Sequence, residues 1–366
     1  MLDSRTSVAV IIPAFNAGAT IARTLRSVLA QSLVPDEVVI VDDGSTDDTL
    51  IRIQAFAPHF PQLTVTSQAN AGPASARNCA IRLTDSAFVA PIDADDVWHP
   101  DYLQACVSAL RTNPHVGLAY AWHHLIDMED RVLRGPMPFT VEGEALGPML
   151  LTNFVGNGSS AVYRRQAIED AGFYQPPTRR SHGGEDYLLQ LRIAAEWQVA
   201  CVQRDLVGYR KAWGSLSSDC RDALTTRLAA IRIALNESGP CRFPVERWVR
   251  GDAQRTLAVR LLGQGDWSES MRTAARALAS DTPAFLFDFG LRVRNLALRR
   301  IAGHAPVDRP LDRLLLWRLR LLTGRLARGG TVPYPLESQW ALPYDPAPAF
   351  DAPDSLPAVV PQPGQV

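Results

Sequence analysis

At 366 residues and 46% hydrophobic side chains, the chain has room for one large catalytic domain plus a smaller appendage, and enough apolar surface to bury a core. Lys and Arg number 37 against 38 Asp and Glu, a formal charge of -1, so no overall basic field points to nucleic acid, and none is expected as a partner. Five scattered cysteines, Cys79, Cys106, Cys201, Cys220 and Cys241, form no CxxC pair, which argues against a disulfide framework and a structural zinc site and fits a reducing cytoplasm.

Residues 1–7 lack an apolar run of signal length, and no stretch of about 18 uncharged apolar residues occurs. The expectation is a cytoplasmic chain without a membrane span. Over the first 120 residues, short β-branched runs alternate with helical periodicity, the pattern of a mostly parallel sheet with crossover helices. Residues 8–12 read as a strand, and Ile21, Leu25, Val28 and Leu29 recur as one helix face. A second strand at 38–41 precedes capping side chains at 45–48 and a helix through Leu50 and Ile53. A third strand spans 63–66, a helix opening on Pro73 spans 73–83, a fourth strand spans 88–92, and a helix spans 100–110.

Farther on, 135–158 is rich in turn residues, 159–163 reads as a strand, and helices are expected near Gln166 and over 185–195. These finish a catalytic domain placed at 1–223. A helical region follows at 224–332, where 257–278 reads as a helix pair around Gly263-Gln264-Gly265-Asp266, like a single tetratricopeptide-type unit. Residues 291–328 interleave Arg with Leu, a pattern that fits either a solvated face or peripheral contact with an anionic membrane. The tail at 333–366 is Pro-rich and expected to be disordered.

Ligands of open α/β sheets bind outside the carboxyl ends of the strands. Here those ends are Pro13-Ala14-Phe15-Asn16, Asp42-Asp43-Gly44-Ser45 and Asp93-Ala94-Asp95-Asp96. No GxGxxG or GxxxxGK[ST] follows a strand, so dinucleotide and P-loop binding lose their usual support. Three carboxylates within four residues repel one another unless a cation or donors neutralise them, and carboxylate plus phosphate oxygens suit Mg²⁺ or Mn²⁺. Asp also favours helix caps, so the cluster alone leaves the metal and capping readings open.

Five segments in order resemble the inverting family 2 glycosyltransferases of the GT-A fold. They are Val10-Ile11-Ile12-Pro13-Ala14-Phe15-Asn16, Val39-Ile40-Val41-Asp42-Asp43-Gly44-Ser45-Thr46-Asp47, Asn70-Ala71-Gly72-Pro73-Ala74-Ser75-Ala76-Arg77-Asn78, Ile92-Asp93-Ala94-Asp95-Asp96 and Gly184-Glu185-Asp186. The resemblance implies a nucleotide-binding α/β sheet flanked by helices, with a smaller helical region after it, and a nucleotide-sugar donor with UDP favoured. It implies that Pro13, Phe15, Asp42, Arg77 and Asp93 hold the nucleotide; the alternatives are Phe15 in the core, Asp42 as a helix cap and Arg77 paired with a neighbouring carboxylate. Asp95, with Asp93 as second candidate, would hold Mn²⁺ or Mg²⁺.

Asp186 is the implied general base, at a helix N-terminus that should keep it ionised at neutral pH. Its bland alternative is a helix cap. Arg210, Lys211, Glu185 and Trp98 are candidate contacts for the diphosphate or the acceptor, a glycan or lipid-linked saccharide. Trp122 and Trp213 are further flat faces for sugar stacking. Ala212 stands where the family often carries a metal-ligating His. Residues 153–160 would lie over the acceptor side, and His182 is a candidate acceptor-side group; the pair His123 and His124 shows no ligand spacing. A sugar-phosphate nucleotidyltransferase is disfavoured, because no Gly-rich basic loop follows the first strand. A noncatalytic sugar-nucleotide-binding scaffold is the remaining alternative.

Overall fold

The computed structural model describes residues 7–282 apart from 137, 179–182, 212–219 and 239–244. The Arg-rich stretch 291–328, the tail 333–366, His182, Ala212 and Trp213 lie outside the described residues. The chain runs β1 Val8–Ala14, α1 Ile21–Leu29, β2 Glu37–Asp42, α2 Thr49–Phe56, β3 Leu63–Ser67, α3 Pro73–Arg82, β4 Phe88–Pro91, β5 Val97–Trp98 and α4 Tyr102–Thr112. It continues β6 Val116–Ile126, β7 Val132–Arg134, α5 Leu146–Leu151, β8 Ala161–Arg164, α6 Arg165–Asp170, α7 Glu185–Glu196, β9 Gln198–Arg210, α8 Cys220–Ser238, α9 Val245–Gln264 and α10 Trp267–Ser280.

One sheet orders these strands β3-β2-β1-β4-β8-β6-β9-β5, with β7 beside β6. The β3-β2-β1-β4 half is parallel. β8 joins it antiparallel to β4, while β6 and β9 pair in parallel with each other. Side chains alternate across the sheet with a period of two, which separates two cores. Val8, Val10, Ile12, Val38 and Ile40 face Ile21, Leu25, Phe56, Leu103 and Val107 of α1, α2 and α4. Ile11, Val39 and Val41 face Ala76, Ile81, Leu188 and Leu191 of α3 and α7.

The first four expected strands and their helices are present within a residue or two. The long strands β6 and β9 escaped the sequence reading, because runs such as Val116-Gly117-Leu118-Ala119-Tyr120 are poor in the β-branched residues that mark β1 and β2. The turn-rich stretch 135–158 contains α5, and Gly158–Ser160 forms a 3-10 turn ahead of β8. Ala230, Ile231 and Ala234 of α8 and Val249 of α9 are buried in the same core as α3 and α7, so the helical region shares the core of the sheet domain. The expected helix pair is α9 and α10. Gly265 at φ 88° makes its turn, and Asp266 caps α10 by accepting from the Glu269 N–H at 3.2 Å.

Candidate active site

The parallel register puts the ends of β1 and β2 on one edge, with Ala14 opposite Asp42. Ile92, just past β4, donates its N–H to Ile11 O at 3.0 Å and leads residues 93–96 onto that edge. Asn16, at φ 47°, ties the first two loops together: its N–H donates to Ser45 Oγ at 2.9 Å, and its Oδ1 accepts from the Thr46 N–H at 2.9 Å. Phe15 is 50% exposed and therefore outside the core, Pro13 is half-buried, and buried Asp42 accepts from the Ser45 N–H at 3.2 Å.

Asp43 was missed as an individual position. It is buried and accepts from Gln68 Nε2 at 2.6 Å, the Ala71 N–H at 2.9 Å and the Gly72 N–H at 2.8 Å, fixing the entry to α3. The second carboxylate of the Asp42-Asp43-Gly44 run was its only local signal.

The acidic turn is knitted by Ser159, which is fully buried in the 3-10 turn. Ser159 Oγ accepts from the Asp93 N–H at 3.0 Å and donates to Asp96 Oδ2 at 2.6 Å. Asp96 also accepts from the Arg210 N–H at 2.8 Å, and burial with the neighbouring Asp95 and Asp93 holds its carboxyl well above the usual range. Burial and Asp93 push Asp95 up to about 6. Here, then, is a set of carboxyls short of positive charge.

Arg77 joins this turn to α7. It is 3% exposed, its Nη2 donates to Asp93 Oδ1 at 2.5 Å, and its Nη1 donates to Glu185 Oε1 at 2.5 Å. The guanidinium also lies over the Tyr174 ring, 5.4 Å from its centroid. Gly158 makes room for it, since a Cβ there would sit 3.1 Å from Arg77 Nη2. One side chain thereby brings Glu185 and Asp186 beside the acidic turn, although 92 residues separate Asp93 from Glu185 in sequence (185 minus 93).

Several sequence expectations need correction. Arg77 spends both terminal nitrogens on Asp93 and Glu185, which leaves only Nε without a partner, so it is an internal bridge rather than an open grip for a base. Glu185 is buried against it and unavailable to an acceptor. Trp98 is buried in the core, stacks on Tyr102 at 4.5 Å and donates from Nε1 to Ser159 O at 2.8 Å, so it offers no sugar platform. Arg210 is buried with its guanidinium donating to Asp95 O at 2.6 Å, to Asp127 O, and to Asp130 Oδ1 at 2.5 Å, which leaves no free face for a diphosphate. Asp186 is not held ionised by its helix: burial first and Glu185 second push it up to about 7, against the pull of Arg77.

Lys211 stays near the acidic turn, attracted by Asp96 and Asp95, while its Nζ donates to Tyr209 Oη at 2.8 Å. Trp122 donates to Phe139 O at 2.8 Å from a half-buried position. His123 is held down to about 4 by burial, and His124 bonds Asp205 at 2.9 Å.

Among the described residues, no three His, Cys, Asp or Glu gather as a metal-holding group. The residues present nevertheless fit a hard divalent cation that takes one or two protein carboxylates and completes its shell with phosphate oxygens and water. The raised Asp95 carboxyl is the observation behind that fit. Asp95 and the Asp93 oxygen not facing Arg77 are the groups that would hold it.

A half-parallel α/β sheet with an acidic turn at its carboxyl edge, lacking a Gly-rich phosphate loop, defines a GT-A-type domain. Residues 9–172 match the profile of the family described as Glycosyl transferase family 2. It is 36% identical to the chondroitin synthase of Escherichia coli over 126 residues, 34% of this chain and 18% of that protein. It is 25% identical to the Escherichia coli UDP-Glc:alpha-D-GlcNAc-diphosphoundecaprenol beta-1,3-glucosyltransferase WfgD over 214 residues, 58% of this chain and 80% of that one. The mannosyltransferase PcManGT of Pyrobaculum calidifontis, solved with GDP-Man and Mn²⁺, superposes with a TM-score of 0.53 at 20% identity, covering 87% of this chain and 85% of that one. The chain spans only 18% to 52% of the length of three curated relatives it matches.

Proposed function

We propose that this chain transfers a sugar, with inversion, from a nucleoside diphosphate donor to a hydroxyl of a glycan or lipid-linked saccharide. The observation that carries the reading is the Asp93–Arg77–Glu185 bridge, which sets a candidate base, Asp186, beside a turn of under-neutralised carboxylates. Pro13, exposed Phe15 and Asp42 at the ends of β1 and β2 are the surface for the nucleotide, with UDP favoured because WfgD names UDP-Glc as its donor.

Asp186 takes the proton of the acceptor hydroxyl as that oxygen bonds to the anomeric carbon. The bond from that carbon to the donor phosphate breaks on the opposite face, and the nucleoside diphosphate leaves with the electron pair. A carboxyl near 7 suits this task, because a base poised near ambient pH combines a usable ionised fraction with useful basicity. When bound, Mn²⁺ or Mg²⁺ at Asp95, shared with Asp93, supplies stabilisation for negative charge on the leaving diphosphate. Lys211 adds a positive charge near the same turn.

The acceptor class is suggested by WfgD, whose name specifies a diphosphoundecaprenol-linked sugar. No described helix is long and apolar enough to cross a membrane. The proposed setting is therefore cytoplasmic with peripheral membrane contact through 291–328. A flotation assay with anionic vesicles tests it, a truncation after Ser280 being expected to lose binding.

A panel of UDP-, GDP- and dTDP-sugars with Mn²⁺, Mg²⁺ or EDTA tests the chemistry, comparing wild type with Asp95→Ala and Asp186→Ala. Metal-dependent release of one nucleoside diphosphate, lost in both variants, is the expected outcome. Nucleotide binding without turnover on any donor or acceptor, unaffected by Asp95→Ala, would instead favour the noncatalytic sugar-nucleotide-binding scaffold.

A further inference from the structure

We propose that Arg210 is a positioning residue that clamps the acidic turn onto a second turn, residues 127–130, and so holds the Asp95 carboxylate toward the donor. This rests on the donor-binding role proposed above for that turn. Arg210 ends β9, and the register that places it opposite Ile126 brings it to the end of β6 where the second turn begins. Its side chain is fully enclosed. Each of its three guanidinium nitrogens is committed: Nε to Asp95 O at 2.6 Å, Nη1 to Asp127 O, and Nη2 to Asp130 Oδ1 at 2.5 Å. Its own N–H takes Asp96 Oδ1 at 2.8 Å.

The far anchor is itself braced. The Asp127 carboxylate accepts from the N–H groups of Glu129 and Arg131, both at 2.9 Å, and from Arg131 Nε at 2.7 Å. Arg23 of α1 donates to Met128 O and lies 3.6 Å from Asp130. A planar fork of donors suits this place because it fixes two carbonyls and a carboxylate at once, which a lysine ammonium on a flexible stem cannot reproduce. The crowded carboxyls of the turn would otherwise spread apart, so a rigid cation behind their backbone keeps Asp95 aimed without occupying its carboxylate. The arrangement resembles the outer partners of metal ligands, whose loss typically costs about 10–100-fold in metal affinity.

The test titrates Mn²⁺ into the UDP-bound full chain by calorimetry and measures donor hydrolysis, for wild type, Arg210→Lys, Arg210→Met and Asp130→Asn. Asp130 is partly exposed at φ 65°, a conformation Asn tolerates, so that variant weakens the far anchor without opening the core. Expected is a loss of Mn²⁺ affinity and a rise in donor KM of about tenfold or more in both Arg210 variants, less for Lys than for Met, and a few-fold in Asp130→Asn. The kcat should fall by a smaller factor, because the base stands on another helix. A purely structural Arg210 would lower the active fraction, and so kcat, while leaving Mn²⁺ affinity and KM of the folded molecules unchanged; that outcome overturns the proposal. Failure of wild type to bind Mn²⁺ with UDP overturns the donor-site reading itself and this inference with it. Should Arg210→Met not fold, unchanged affinity and KM in both Asp130→Asn and Arg210→Lys overturns the clamp.

Discussion

Replacing Arg77 by Met removes a buried guanidinium and leaves Asp93 and Glu185 facing each other without a counter-charge. Breaking one partner of a buried ion pair costs about 3–5 kcal/mol, and Arg77 serves two carboxylates. The Asp93 side chain is 30% exposed and regains some hydration, whereas Glu185 at 7% does not. A net loss of about 3 kcal/mol follows, near the low end of that range. For a domain of this size each kcal/mol moves Tm by about 2–4 °C, so the variant should melt roughly 6–12 °C lower.

Calorimetry of wild type and variant in EDTA near pH 8 measures it. Arg77→Lys should recover only part, having one charge centre for two carboxylates 92 positions apart in the chain. A loss under about 1 kcal/mol would refute the bridge as the tie between the acidic turn and α7.

Asp186, pushed up to about 7, is protonated in the fold across the range from about 4 to 7, where the unfolded chain has released that proton, so its contribution to stability falls as pH rises through that window. Asp186→Asn should therefore match wild type in Tm near pH 4, exceed it near pH 8, and show no transfer; wild-type kcat/KM should rise toward a plateau above about pH 7. A flat wild-type profile across that range would count against Asp186 as the base. Gly156, at φ 92° with a Cβ position 2.2 Å from the His123 ring, should not accept Ala: a loss of roughly 1–3 kcal/mol in urea denaturation is expected. Asp43→Asn turns one acceptor oxygen into a donor against the Ala71 or Gly72 N–H, and should lower stability by about 1–3 kcal/mol in the same assay.

The sequence by itself determined the parallel half of the sheet and the edge that carries the chemistry. The short β-branched runs of β1 and β2 are a local property of neighbouring residues, and the turns at Asn16, Asp43 and Asp93 follow β1, β2 and β4 directly, so both could be read without knowing what lies across the fold. Strands β6 and β9 were missed because β-branched residues are sparse in them: Val116 and Ile126 stand at the two ends of β6, and Val199, Val202 and Val207 are scattered along β9. Which charged groups remain open to a ligand was decided by the tertiary structure alone. Arg77, Glu185, Arg210 and Trp98 have the side chains of a binding site, yet each is consumed by a partner far away in sequence, such as Arg210 with Asp95 and Asp130. The charge state of Asp186 is likewise nonlocal: its helix N-terminus favours the anion, but burial and Glu185, with Arg77 opposing them, set the balance near neutrality. Hydrophobic period is written along the chain, whereas desolvation and ion pairing depend on what folding brings within a few ångströms.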